Sequence, residues 1–217
     1  MSTPDFKKLT LCGALFCPYV QRTRITLAEL DVEYDFVVID TKNKPSWHVI
    51  PDSLTIVQYL CERYADKKAL ISDDLVKRAD SRYAIEFYGS SIGSDYNKYL
   101  NTCGEDGSFR HYKMIMNTHL FRLDQLLRAQ STTGPYFLGS EFTYADIGMA
   151  SFVIRMLTFN KHMLDGFEFS ALEACPRVAK YFEALISRPS VQETFLGTEG
   201  YLTWLTKDHN VAKPTKE

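Results

Sequence analysis

The chain has no run of about 18 apolar residues, so no membrane-spanning helix is expected. It also lacks an excess of either charge. Lys+Arg 25 against Asp+Glu 27 leaves a formal charge of −2. Without a basic face or a like-charge block, neither a nucleic-acid partner nor a charged interaction tail is expected. The opening stretch MSTPDFKKLT has no apolar core of a secretory signal. Cysteines are few, scattered and odd in number: Cys12, Cys17, Cys61, Cys103 and Cys175. That argues against a disulfide framework and for a reducing, cytoplasmic setting. The histidines (His48, His111, His119, His162, His209) show no ligand spacing, so no metal centre is expected. No internal repeat is visible.

What is present is apolar content. Of 217 residues 45% are hydrophobic, enough for one large core or two small ones. Residues 7–13 read as a strand with Leu9 and Leu11 on one face, ending at Gly13. Pro18 suits the first turn of a helix, where its missing N–H costs nothing, and that helix runs to about Leu30. Residues 31–40, DVEYDFVVID, read as a second strand. Strand–helix–strand at this length predicts parallel strands with a right-handed crossover. From Ser53, the positions Leu54, Val57, Leu60, Cys61 and Tyr64 recur at helical spacing.

Everything later reads as helix. Tyr112, Met116, Leu120, Leu123 and Leu127 draw one stripe. Thr143 with Asp146 three residues on is a capping box, with Phe142 stapling against Ile147. Pro176 opens another helix, and the polar tail KDHNVAKPTKE is expected to be loose. The expected fold class is α/β plus all-α: residues 1–64, a linker over 65–71, and a helical bundle over 72–217.

The segment LFCPYVQRTR carries the chemistry. A cysteine between a strand and a helix opening with proline meets free backbone N–H groups and the positive end of the helix dipole. Both favour thiolate over thiol. Redox pairs at such sites place a second cysteine three residues on; here that position is Val20, so an external thiol must complete any exchange. A buried, inert Cys17 is the plainer alternative. The other four cysteines are read as structural, although Cys12 lies near enough in sequence to be considered as a partner. A protease-like pairing of Cys17 with a distant histidine has no local signature.

FCPYVQRTRITLAEL, NKPSW, PDSLTIVQYL and FTYADIGMAS resemble, in order and spacing, a cytosolic glutathione transferase, most closely the cysteine-type omega branch of thioltransferases and dehydroascorbate reductases. The resemblance covers nearly the whole chain. It implies a thioredoxin-like N-terminal domain that binds glutathione as co-substrate, an all-helical second domain, and a homodimer. It makes Cys17 the nucleophile that forms a mixed disulfide with glutathione. Asp52 and Ser53 then hold the γ-glutamyl end, Lys44 lies near the tripeptide backbone, and Phe16, Pro18 and Tyr19 line the site. The helix opening at Ser53 offers N–H groups to a carboxylate while Asp52 accepts from an ammonium, which agrees with that role.

One departure stands out. The family carries a cis-proline loop and two further strands between the segments matching KPSW and DSL, and here only HVIP intervenes. Two short strands with their turns need roughly 15 residues. Either the protein lacks the hairpin, or the sequence skips a stretch here; the second is preferred, because two strands give the helices little platform. Pro51 is read as leading into the next helix. The second substrate is expected to be a disulfide, a dehydroascorbate-type molecule or a small electrophile. Its pocket is expected near Tyr83, Phe87, Tyr88 and Trp204, for which a core role is an equally good reading. Alternatives are a non-catalytic interaction module and an electrophile-conjugating enzyme.

Overall fold

The structure, a computed structural model, describes residues 8–48, 52–212 and 214. Pro51, and the junction at which a family hairpin is expected, lie outside the described residues.

Strand β1 (Thr10–Gly13) and strand β2 (Asp35–Val38) pair in parallel, Thr10 opposite Asp35 and Gly13 opposite Val38. Helix α1 (Pro18–Glu29) crosses between them with Pro at its start, as expected. Both strands are shorter than the expected spans 7–13 and 31–40, and side-chain chemistry explains the second. Asp31 takes a left-handed φ of 50° just after α1, a conformation a short polar residue tolerates, and Val32 N–H closes back on the Leu27 carbonyl at 3.0 Å. At the other end, Asp40 turns the chain by accepting from Lys42 N–H at 2.9 Å. Propensity extended the strand into residues that the two aspartates commit to turns.

Helix α2 (Ser53–Arg63) opens at the expected residue, buries Val57, Leu60 and Cys61, and packs on α1. The connecting segment is pinned rather than slack: Leu70 is fully buried and its carbonyl accepts from Tyr144 N–H at 2.8 Å. The rest is helical. Helix α3 (Leu75–Phe87) continues through a π-type segment (Tyr88–Gly93) into α4 (Ser94–Thr102). Then come α5 (Ser108–Gln130), α6 (Tyr144–Met163), the short α7 (Ala171–Ala174), α8 (Pro176–Ser187), α9 (Pro189–Thr194) and α10 (Thr198–Thr203), which runs into a second π-type segment, Trp204–Asp208. No helix among the described residues is long and apolar enough to cross a membrane.

Helix α6 is the hub. Ala145, Ile147, Met149, Ala150 and Val153 are inaccessible, which fits a helix apolar all round. Gly148 lets α3 approach, because a Cβ there would stand 2.6 Å from Ile85. The expected α5 stripe, Tyr112 to Leu127, is buried, with α5 packed on α4 and α8. The capping box forms as the spacing predicts: Asp146 accepts from Thr143 N–H at 2.7 Å and from the Thr143 hydroxyl at 3.0 Å. Asp146 also accepts from Phe137 N–H at 2.9 Å, a contact from outside the helix.

The small sheet unit is fastened to the bundle by Glu29. Its carboxylate takes a fork from Arg188 at 2.8 and 2.7 Å, the Ser190 hydroxyl at 2.5 Å and the Lys68 ammonium. Burial pushes this acid up, but the hydrogen bonds from Arg188, Lys68 and Ser190 outweigh it and hold it at about 2.

Candidate functional site

Cys17 is the N-cap of α1, with extended backbone (φ −68°, ψ 121°) and half-buried. Its own N–H closes the preceding turn on the Ala14 carbonyl at 3.2 Å, and its carbonyl starts the helix by accepting from Gln21. The strand ahead ends at Gly13 for a steric reason. A Cβ there would sit 2.5 Å from a Val20 methyl, so Val20 packs straight onto the strand end. That is what occupies the position of a resolving cysteine: an apolar wedge between helix and sheet.

A cavity of about 430 Å³ opens in front of this turn. Cys17, Tyr19, Lys44, Asp52 and Ser53 all line it, so residues from three segments converge. Cys12 and His48 line it too. Phe16 and Pro18 do not. The Phe16 ring turns away and stacks on Trp204 (centroids 6.0 Å, 24° between planes), forming one wall of a separate open recess with Leu196, Gly197, Gly200 and Thr203. The reason is Gly200, which passes so close to the ring that a Cβ would lie 3.3 Å from it.

At the far wall, Asp52 caps α2. Its Oδ1 accepts from Thr55 N–H at 2.8 Å and the Thr55 hydroxyl at 3.1 Å, leaving Oδ2 with no partner among the described residues. The N–H groups of Ser53 and Leu54, in the first turn of α2, have no intrahelical acceptor. The Ser53 hydroxyl accepts from Arg22 Nη1 at 3.3 Å. Since a hydroxyl both accepts and donates, this contact leaves its proton for another group. Three donors and the positive end of a helix dipole therefore meet one uncommitted carboxylate oxygen. Such a set suits a zwitterion carrying both carboxylate and ammonium.

Arg22 was not singled out by the sequence. It is 5% exposed, grips the Gly148 carbonyl of α6 with Nε and Nη2 at 2.9 and 2.7 Å, and lies against the rings of Tyr19 and Phe152. Burial lowers its pKa, and Tyr19 and Asp52 pull it back up. Tyr88, expected near a second-substrate pocket, is instead core at 2% exposure, packed toward Phe152. Tyr83 is exposed, and Phe87 packs edge-on against His119.

The other cysteines have a different character. Burial raises the thiols of Cys12, Cys103 and Cys175, and pushes Cys61 up to about 12, with Glu62 adding to it. They are neutral thiols in this setting. No cluster able to hold a metal ion occurs among the described residues.

Two family models match the chain: the glutathione S-transferase C-terminal domain over residues 83–194 and the glutathione S-transferase N-terminal domain over residues 11–48. The second match ends at His48, just before residues 49–51. A probable cytosolic glutathione S-transferase DHAR1 of Oryza sativa subsp. japonica is 27% identical over 215 residues, covering 90% of this chain and 87% of its own. Among solved structures, the trimeric glutathione transferase TDR1 of Leishmania is 25% identical with a TM-score of 0.74, covering 89% of this chain, which in turn spans 48% of that one. Glutathione transferase Omega 3C of Trametes versicolor superposes with a TM-score of 0.75 at 22% identity, covering 97% of this chain and 94% of its own, a likeness of fold.

Proposed function

Because this chain belongs to the glutathione S-transferase family, whose members use glutathione as co-substrate, we propose that it is a glutathione-dependent thiol transferase with Cys17 as its single catalytic nucleophile. One observation carries the reading: Cys17 caps α1 on the wall of the same cavity that the N-terminus of α2 opens into. The likeness to the DHAR1 relative supports it at the level of the family.

In this reading the Cys17 thiolate attacks the glutathione sulfur of a disulfide R–S–S–G. The S–S bond breaks, Cys17–S–S–G forms, and R–S⁻ leaves and takes a proton. A second glutathione thiolate then attacks the adduct, releasing oxidised glutathione and restoring the thiolate. Val20 offers no internal thiol, so the second step belongs to glutathione. Ser53 and the first N–H groups of α2 take the γ-glutamyl carboxylate, and Asp52 Oδ2 takes its ammonium. Lys44 and Tyr19 flank the tripeptide. Phe16 and Pro18 act on the turn rather than on glutathione, since neither lines the cavity.

Residues 1–64 form the glutathione-binding domain, 65–71 the linker and 72–217 the helical domain. The protein acts as a cytoplasmic homodimer on a disulfide or dehydroascorbate-type substrate. Cys17→Ala is expected to abolish turnover of hydroxyethyl disulfide with glutathione; unchanged turnover sinks the assignment.

A second reading, a non-catalytic module of the same fold, is favoured by one observation. The sheet has two strands among the described residues, and four residues separate Trp47 from Asp52. Failure to bind immobilised glutathione, with Cys17 inert to oxidised glutathione, is the outcome that reading predicts.

A further inference from the structure

Against the Cys17 turn, bonded to the residue before the cysteine, lies a second buried guanidinium. Arg155 of α6 is 5% exposed. Its Nη2 donates to the carbonyl of Phe16, the residue before Cys17, at 2.9 Å. Its Nη1 donates to the Ser151 carbonyl at 2.7 Å and to the Gln21 side chain on the first turn of α1. Gln21 is itself held by donating to the Val191 carbonyl and the Thr194 hydroxyl, both at 3.2 Å. The rings of Phe195 and Tyr201 lie against the guanidinium at 5.6 and 5.7 Å.

This arrangement is expensive as plain structure. Every hydrogen-bond acceptor of Arg155 is neutral, no carboxylate lies within ion-pair distance among the described residues, and its Nε–H is buried with no partner. A buried charge without a counter-ion is destabilising, and a neutral side chain of the same volume would pack here at less cost. The missing negative charge is one that forms only when a neighbouring group ionises.

We propose, resting on the reading of Cys17 as nucleophile, that Arg155 is its positioning residue. Through the Phe16 carbonyl it fixes the strand–helix turn, and its unpaired charge is the counter-ion of the Cys17 thiolate. The proton leaves to solvent through the cavity. Burial lowers the arginine to about 10, with Tyr201, Cys17 and Tyr96 pulling it back up, so it stays charged at neutral pH. The device spans two parts of the fold: α6 supplies the charge, α1 the sulfur. The glutathione site is thereby competent only when the sheet unit is docked on the bundle.

Other charged and titratable groups surround the turn and set the background. Tyr19, Lys44, His48, Asp52 and Cys12 face Cys17 across the cavity, Arg22 and Arg24 lie on α1, Tyr96 on α4, and Glu199 and Tyr201 on α10. None of them is altered by the variants below.

The test is the pH dependence of Cys17 alkylation by iodoacetamide, followed by peptide mass so that Cys12 is scored separately. Arg155→Met is expected to raise the midpoint by about one pH unit, slowing alkylation at pH 6.5 about tenfold while the rate at pH 10 stays near wild type. Arg155→Lys, which keeps the charge, is expected to restore most of the neutral-pH rate. A folded Arg155→Met with the wild-type midpoint overturns the proposal. If that variant does not fold, Gln21→Glu decides, since it places a carboxylate beside Arg155 with almost no change of shape. A raised midpoint supports the proposal and an unchanged one overturns it. The readout needs no glutathione, so it stands or falls separately from the thiol-transfer assay.

Discussion

Arg22 on α1 and Ser53 at the start of α2 are joined by one hydrogen bond of 3.3 Å, Nη1 to hydroxyl, and the rest of the guanidinium is clamped on the Gly148 carbonyl of α6. The contact decides which way the Ser53 hydroxyl can donate. With its lone pair engaged by the arginine, its proton is available to the cavity.

If Ser53 serves the γ-glutamyl carboxylate, Ser53→Ala raises the KM for glutathione by roughly ten- to 150-fold, the worth of one hydrogen bond to a charged group, and leaves kcat nearly unchanged. Arg22→Lys, which loses the clamp but keeps a charge, moves KM in the same direction. Steady-state kinetics with varied glutathione checks both; an equal fall in kcat would place these residues in the chemical step instead.

Glu29 makes a prediction about acid. Its folded pKa of about 2 lies below its ordinary 4.5, so its contribution is fully present above pH 4.5 and is lost as pH falls toward 2. Glu29→Gln removes that slope and leaves Arg188 and Lys68 without their acceptor charge. The expected result at pH 7 is a loss of about 2 kcal/mol or more and a Tm lower by roughly 4–8 °C. Thermal melts across pH 2–7 check it, with wild type and variant converging at the acid end.

Asp146 runs the opposite way. Burial raises it to about 6 despite the bonds from Phe137 and Thr143, so its ionised form is held at a cost and its contribution fades as pH rises from 3.8 to about 6. Removing it still harms the fold, because Asp146→Ala strands the buried N–H groups of Phe137 and Thr143. A loss of about 3 kcal/mol and a Tm lower by roughly 6–12 °C are expected by calorimetry. Asp146→Asn, which keeps an acceptor, recovers part of it.

How far the sequence speaks depends on the distance over which each residue acts. The Thr143–Asp146 box, Pro18 at the start of α1, Asp52 at the start of α2 and the Tyr112–Leu127 stripe are local, and periodicity or spacing reveals them. The second strand is shorter than propensity predicts, because Asp31 and Asp40 commit their backbone or side chains to turns that propensity does not see. The family resemblance places Phe16 on the cavity wall, yet Gly200, 184 residues on, draws its ring the other way. Arg22 and Arg155 were invisible for the same reason: their partners lie 126 and 139 residues away in sequence. As letters in a helix they read as ordinary surface charges, and only tertiary packing makes them buried.

The most direct test of the central claim is the intact mass of the protein after incubation with oxidised glutathione. The account predicts one glutathione adduct per chain, reversed by reduced glutathione, mapped to Cys17 and absent from Cys17→Ala. No adduct in the wild-type protein, or an adduct that persists in Cys17→Ala, would contradict it.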